Sequence, residues 1–158
     1  MTDAPVLTGL IRQLVLAEII DVNQVEADAR QQQITLSAPE QLLICADSRL
    51  LARAIENVLR NAIKYGPCDS EIRCQLQVQQ QQLLLTICDQ GPGIAPDQLS
   101  AIFEPFYRTS SSRNSNTGGT GLGLAIVQMI VSKIGGRLEL RNRPEGGLCA
   151  LLLLGPAL

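Results

Sequence analysis

The sequence predicts an α+β fold: a two-layer α/β sandwich in which a mixed, mostly antiparallel sheet carries three main helices on one face. Three observations lead there. The 158-residue chain is 46% hydrophobic and 18% charged, which suits one domain with a real core rather than a disordered polymer. Several stretches alternate apolar and polar residues and are joined by hairpin-length turns. Three longer segments carry apolar residues at helical spacing instead. No internal repeat is present.

In chain order, residues 1–13 read as the end of a preceding region or an appended segment, and the domain proper runs over 14–158. Leu14 to Ile20 is apolar and fits a strand or a helix start. Asp21 to Gln33 is polar with Val22, Val25 and Ala29 at helical spacing, a surface helix. Ile34–Ala38 and Leu42–Cys45 are short strands around the turn residue Pro39. Asp47–Ser48 is a good N-cap for a helix that stops at about Tyr65, before Gly66–Pro67. Its apolar positions Leu51, Ala54, Ile55, Val58, Leu59 and Ala62 form one stripe, while Asn57, Asn61 and Lys64 share a different face. Glu71–Val78 and Leu83–Cys88 make an antiparallel hairpin turning at Gln79–Gln82. The second of these strands is nearly all apolar and should be central. It ends in Asp89-Gln-Gly91-Pro-Gly93. Ile102–Phe106 is an apolar knot, and Tyr107 to Gly118 has almost nothing to bury, so mobility is expected there. A helix from about Thr120 to Ile134 stops at Gly135–Gly136. Strands Arg137–Asn142 and Leu148–Leu154 close the chain.

Composition removes several function classes. A net charge of −2 argues against a nucleic-acid surface. No run of 18 apolar residues spans a membrane, and Met1–Pro5 does not begin a signal peptide. Five cysteines, odd in number and with no CxxC spacing, read as small buried residues of a reducing compartment, not as disulfides or a zinc site. There is no histidine. That excludes Ser-His and Cys-His catalysis, histidine metal sites and a phosphohistidine on this chain.

The chemistry concentrates in glycine-rich turns. Gly118, Gly119, Gly121 and Gly123 run directly into an apolar helical series. Glycines let a ligand approach the backbone, and a helix start adds unpaired N–H groups and partial positive charge, together an anion site. Taken alone, the loop also fits a plain connection before an ordinary helix. It lacks the GK[ST] ending of a P-loop. Asp89 likewise fits a turn cap, Tyr65 a core aromatic, and the Asn57–Asn61–Lys64 face a solvated one.

Four stretches in register carry more. Ala54-Ile-Glu56-Asn57-Val-Leu-Arg60-Asn61-Ala-Ile-Lys64-Tyr65 resembles an N box, and Asp89-Gln-Gly91-Pro-Gly93-Ile94 a G1 box. Ile102-Phe103-Glu104-Pro105-Phe106-Tyr107-Arg108 resembles an F box, and Gly119-Thr-Gly121-Leu-Gly123-Leu124 a G2 box. Over roughly residues 14–155 the chain resembles the ATP-binding (Bergerat-fold) domain of sensor histidine kinases, in the family that includes gyrase, MutL and heat-shock-90 proteins. The resemblance implies ATP and Mg²⁺ as cofactors. Asp89 would accept the adenine amino group, with Gly91, Gly93 and Ile94 curving along the base and Tyr65 beside it. Asn61 would bind Mg²⁺ through its amide oxygen. Lys64 and Arg108 would neutralise phosphate charge, with Asn57 extending the polar site. Gly119, Gly121 and Gly123, with Leu122 and Leu124, would present backbone N–H groups to the phosphates. The catalytic candidates are Asn57, Asn61 and Lys64. Residues from about 104 to 120 would form an ATP lid, with Phe103 and Phe106 packing its hinge.

Two departures matter. ATP-hydrolysing relatives carry a glutamate where this chain has Asn57. Glu56 is adjacent, but one residue turns a helical side chain by about 100°. Without that base, the γ-phosphate waits for a protein nucleophile. Cys149 stands where many relatives have Ser or Thr. The implied partners are a dimerisation and histidine-phosphoacceptor domain of the same parent protein and a response regulator. No nucleic acid is implied, and no membrane contact by this domain, which is expected to be a cytoplasmic part of a parent in the bacterial inner membrane. A nucleotide-sensing interaction module, an ATPase of the gyrase or chaperone type and a serine kinase of the anti-sigma-factor type share the boxes.

Overall fold

The alternating segments do form one mixed sheet with helices on a single face, in a computed structural model that describes residues 8–39, 41–45, 48–95 and 123–156. The strands are β1 (Thr8–Arg12), β2 (Gln33–Ser37), β3 (Gln41–Cys45), β4 (Glu71–Gln79), β5 (Gln82–Cys88), β6 (Arg137–Asn142) and β7 (Leu148–Pro156). The helices are α1 (Gln13–Ala29), α2 (Ser48–Tyr65) and α3 (Gly123–Lys133). The main sheet has the order β2-β4-β5-β7-β6 and is antiparallel except for the β2–β4 pair. A parallel pair needs a crossover, and the chain between β2 and β4 contains α2. That connection brings the N-box helix over the sheet.

Strand parity separates the two sheet faces. Cys74 and Leu76 of β4 pair with Ile87 and Leu85 of β5, and these with Ala150 and Leu152 of β7; Ile72 and Leu83 lie on the same face by strand parity. All are buried, and they meet Leu59 and Ile63 of α2 and Val127 and Val131 of α3 in one core. The opposite face carries Arg73, Thr86, Cys88, Cys149 and Arg141, and among the described residues no helix lies on it. The hairpin turns at Gln80 and Gln81, both at positive φ (53° and 65°), as a two-residue turn matched to strand twist requires.

Three expectations are corrected. The first helix is longer than the polar stretch suggests. Leu16, Ile19, Asn23 and Ala27 form its buried stripe, whereas Val22 and Val25 are 72% and 77% exposed. Of the two readings open for Leu14–Ile20, the helix start is the one observed, and Leu16 and Ile19 set the phase of the inward face. The segment set aside as 1–13 supplies β1, which pairs with β3 in a separate two-stranded sheet, so β2 and β3 do not share a sheet. Finally, the cysteines are not all free: Cys88 and Cys149 form a disulfide, because the β5–β7 register sets them directly opposite each other on the same face. Cys74 is buried and free, and Cys68 is exposed.

The end of α3 agrees closely with its glycine signal. Gly136 N–H donates to Val131 O (2.8 Å) and Gly135 N–H to Ser132 O (3.1 Å), with Gly135 at φ 83°. This is a Schellman cap. Asp47, the Ile102–Phe106 knot and the lid from about 104 to 120 lie outside the described residues.

Candidate functional site

The site grows from the last residue of an apolar strand. β5 is driven into the centre of the sheet by its leucines, and the chain leaves it at Asp89, which is 4% exposed. A carboxyl group this deep needs partners. Oδ1 accepts from Gly91 N–H (2.8 Å) and Leu148 N–H (3.1 Å), and the main-chain N–H of Asp89 donates to Leu148 O (2.9 Å). Arg143 donates through Nη1 to Asp89 O at 2.9 Å. Both hydrogen bonds to the carboxyl group end on Oδ1, and none of the described hydrogen bonds ends on Oδ2. Burial pushes the Asp89 carboxyl above the usual aspartate range, while the two backbone hydrogen bonds and the Arg143 charge oppose the shift.

The glycines around it fit their positions sterically. A Cβ on Gly91 would stand 2.5 Å from Tyr65 O and 3.2 Å from Asp89 Oδ1. The turn after β5 therefore packs against the C-terminus of α2. Gly93 has φ 76°, and a Cβ there would meet Asn142 Oδ1 at 2.6 Å. Buried Ile94 is held at both ends: its N–H donates to Asn142 Oδ1 (2.9 Å), and Asn142 Nδ2 donates to Ile94 O (2.6 Å).

On α2, Asn57, Asn61, Lys64 and Tyr65 are half-buried beside the buried stripe. Asn57 Nδ2 bonds its own helix at Arg53 O (2.9 Å), and no described hydrogen bond involves the Asn61 amide. Lys64 Nζ lies 5.2 Å from the centroid of the Tyr65 ring. Glu56 pairs with Arg60 at 3.9 Å on an exposed flank. The end of the helix is tied from α1 and β2. Gln32 Nε2 donates to Ile63 O and Gly66 O, both at 3.0 Å, and Arg30 Nη2 to Gly66 O at 2.8 Å.

The structure thus brings Tyr65, Asp89, Gly91, Gly93 and Ile94 together. It places Gly123 and buried Leu124 at the start of α3, with Asn57, Asn61 and Lys64 along α2. Arg108, Gly119, Gly121 and Leu122 lie outside the described residues. Sequence reasoning missed Asn142, Arg143, Gly147 and Gln32. Gly147, at φ 111°, lies where a Cβ would strike Asp89 O. A glycine pair in the β6–β7 turn was the available signal, but nothing local connects it to Asp89.

A family model described as histidine kinase-, DNA gyrase B-, and HSP90-like ATPase matches residues 46–156, well over half of the chain. The chain belongs to this family. It is 44% identical over 117 residues to the sensor protein KdpD of Escherichia coli K12, covering 73% of this chain and 13% of KdpD. It is 35% identical over 133 residues to the sensor-like histidine kinase SenX3 of Mycolicibacterium smegmatis, covering 84% of this chain and 35% of SenX3. The chain therefore spans at most about a third of either relative. The solved mycobacterial sensor histidine kinase MprB superposes with TM-score 0.75 at 29% identity, over 95% of this chain and 98% of that one. The catalytic domain of histidine kinase ThkA shares the fold at TM-score 0.81 and 19% identity, over 94% and 95% of the two chains. Within the family, these relatives place the chain with the ATP-binding catalytic domains of sensor histidine kinases.

Proposed function

We propose that this domain holds Mg·ATP and donates the γ-phosphate to a histidine on a separate dimerisation and phosphoacceptor domain of its parent protein. The observation that carries the reading is Asp89. It is a buried carboxyl with one oxygen fixed by two backbone N–H groups and the other left for the adenine amino group. Tyr65 flanks the base, and Gly91, Gly93 and Ile94 form the wall along it.

The donor set fits the metal. An uncommitted asparagine oxygen is a hard ligand, and Mg²⁺ completes its shell with phosphate oxygens and water. Asn61 would hold the ion, which would supply positive charge against the phosphates when bound. Lys64 would add positive charge, and Gly123 and Leu124 would belong to the phosphate end, a role the resemblance also gives to Arg108, Gly119, Gly121 and Leu122, which lie outside the described residues. Phosphoryl transfer is mainly positioning and charge stabilisation, so the nucleotide-holding part can be separate from the nucleophile. Asn57 supplies no base for water, and Glu56 is engaged with Arg60. Both favour transfer to a protein acceptor over hydrolysis. The parent would sit in the bacterial inner membrane with this domain on the cytoplasmic side, and a response regulator would receive the phosphate. Among the described residues no helix is long and apolar enough to cross a membrane.

The test is radiolabelled Mg·ATP with the 158-residue chain, alone and with a supplied histidine-containing helical domain from a sensor kinase. The chain alone should bind nucleotide and remain unlabelled, since it has no histidine. Acid-labile phosphate should appear on the supplied domain. Stable label on this chain, or rapid phosphate release without an acceptor, would overturn the reading.

A further inference from the structure

We propose that Cys88 and Cys149 form a thiol–disulfide exchange site for low-molecular-weight thiols, and that its state sets nucleotide affinity through Asp89. The second part rests on the reading of Asp89 as the adenine anchor.

The two cysteines lie on the helix-free face of the sheet, in register, with Cα atoms 4.1 Å apart and sulfurs joined. Both are partly exposed and line a groove of about 370 Å³ that opens to solvent, so a small thiol can reach the sulfurs. Across the same row, Arg73 of β4 stands opposite Cys88, and Arg141 of β6 opposite Cys149. Each arginine also holds a glutamate, Arg73 with Glu71 at 3.0 Å and Arg141 with Glu139 at 2.9 Å. Cys74 shows the contrast. It lies on the core face, and burial pushes its thiol up to about 12, which makes it inert.

The exchange balances with the small thiol as reductant. Its thiolate attacks one sulfur, the Sγ–Sγ bond breaks, and the other cysteine leaves as a thiolate that takes up a proton. A second thiol attacks the mixed disulfide and releases the first cysteine. Two thiols become one disulfide while the protein gains two thiols. The oxidised form of the same small thiol drives the reverse reaction.

The link to the site is one residue long on each strand. Cys88 precedes Asp89, and Cys149 follows Leu148. Asp89 and Leu148 are the pair that bonds across the strands, through Asp89 N–H to Leu148 O (2.9 Å) and Leu148 N–H to Asp89 Oδ1 (3.1 Å). The disulfide fastens the rung directly behind the bond that orients the carboxylate. Reduction leaves that rung free to open at the strand ends, where sheets fray first.

The test is calorimetric titration of the whole chain with Mg·ATP, oxidised and after dithiothreitol, with peptide mapping of the cysteines in each state. A linked Cys88–Cys149 peptide should form with glutathione disulfide. Reduction should weaken ATP binding by about fivefold, the lower end of typical coupling between sites, and reoxidation should restore it. The double variant Cys88→Ser/Cys149→Ser should bind at the reduced value in both buffers, with a thermal melt confirming that it folds. Cys68→Ser should respond like the native chain. Equal affinity in both states, no linked peptide after oxidation, or a response that survives in the double variant overturns the proposal. If neither state binds ATP, the nucleotide reading itself fails, and the coupling fails with it, a different result from equal binding.

Discussion

Asp89 is ionisable and buried, with described hydrogen bonds on only one carboxyl oxygen, so its protonation state should govern the site. Its folded-state pKa lies above its unfolded value, so the folded chain holds the proton more tightly between the two. This group's contribution to stability is therefore present below the unfolded value and is lost as pH rises through the folded one. On the proposed reading, nucleotide binding runs the other way, because an adenine amino group donating to Asp89 needs a carboxylate acceptor. ATP affinity measured across the acid range should fall as pH drops through the raised Asp89 value. Asp89→Asn should flatten that profile and weaken binding about tenfold, the size of one lost charge-assisted bond. Asn142→Ala removes both bonds to Ile94 and should weaken ATP binding about tenfold as well, read by the same titration. Asp89 was legible in the sequence because an apolar strand ending in a charged residue and glycines is a local pattern. Asn142 was not. Its partner is 48 residues away, and an exposed asparagine at a strand end carries no local mark.

At the scale of elements, α2 does two jobs with two faces. One face buries Leu59 and Ile63 against the sheet, and the adjoining one carries Asn57, Asn61 and Lys64. Because both belong to one rigid helix, packing fixes where the polar groups stand. Ile63→Ala should destabilise the domain by about 2–5 kcal/mol, measured by urea unfolding. The stripe of α2, the β4–β5 hairpin and the glycine end of α3 were legible because each depends on a periodicity or cap contained in its own segment. The inward face of α1 was misread, since Val22 and Val25 look apolar yet point to solvent while Asn23 is buried by bonding Ile19 O at 2.8 Å. The Cys88–Cys149 bond was misread for a different reason. Its partners are 61 residues apart and meet only through the β5–β7 register, which no count of cysteines contains.

Across the whole molecule, the proposed division of labour is consistent with a chain that has no histidine. On the proposed reading the chain would be the nucleotide-holding half of a phosphoryl-transfer device, and it spans 13% of KdpD and 35% of SenX3. The labelling experiment with a supplied acceptor domain belongs at this scale, since it asks whether the half assembled here is competent. The fold was legible because four motifs in order fix how helices and strands must come together. The separate β1–β3 sheet was not, since its strands carry no site residue and no turn joins them.

The bonds that hold Asp89 have a consequence for how the protein reaches its native state. They join it to Arg143 and Leu148, 54 and 59 residues downstream. Contacts that distant in sequence form late and slow the search. During synthesis, α2 and the β4–β5 hairpin can fold while Asp89 still lacks half of its cradle. On the proposed reading, competence to hold a nucleotide therefore arrives with the β6–β7 hairpin, and a domain made only as far as α3 would have helices and strands but an incomplete Asp89 cradle.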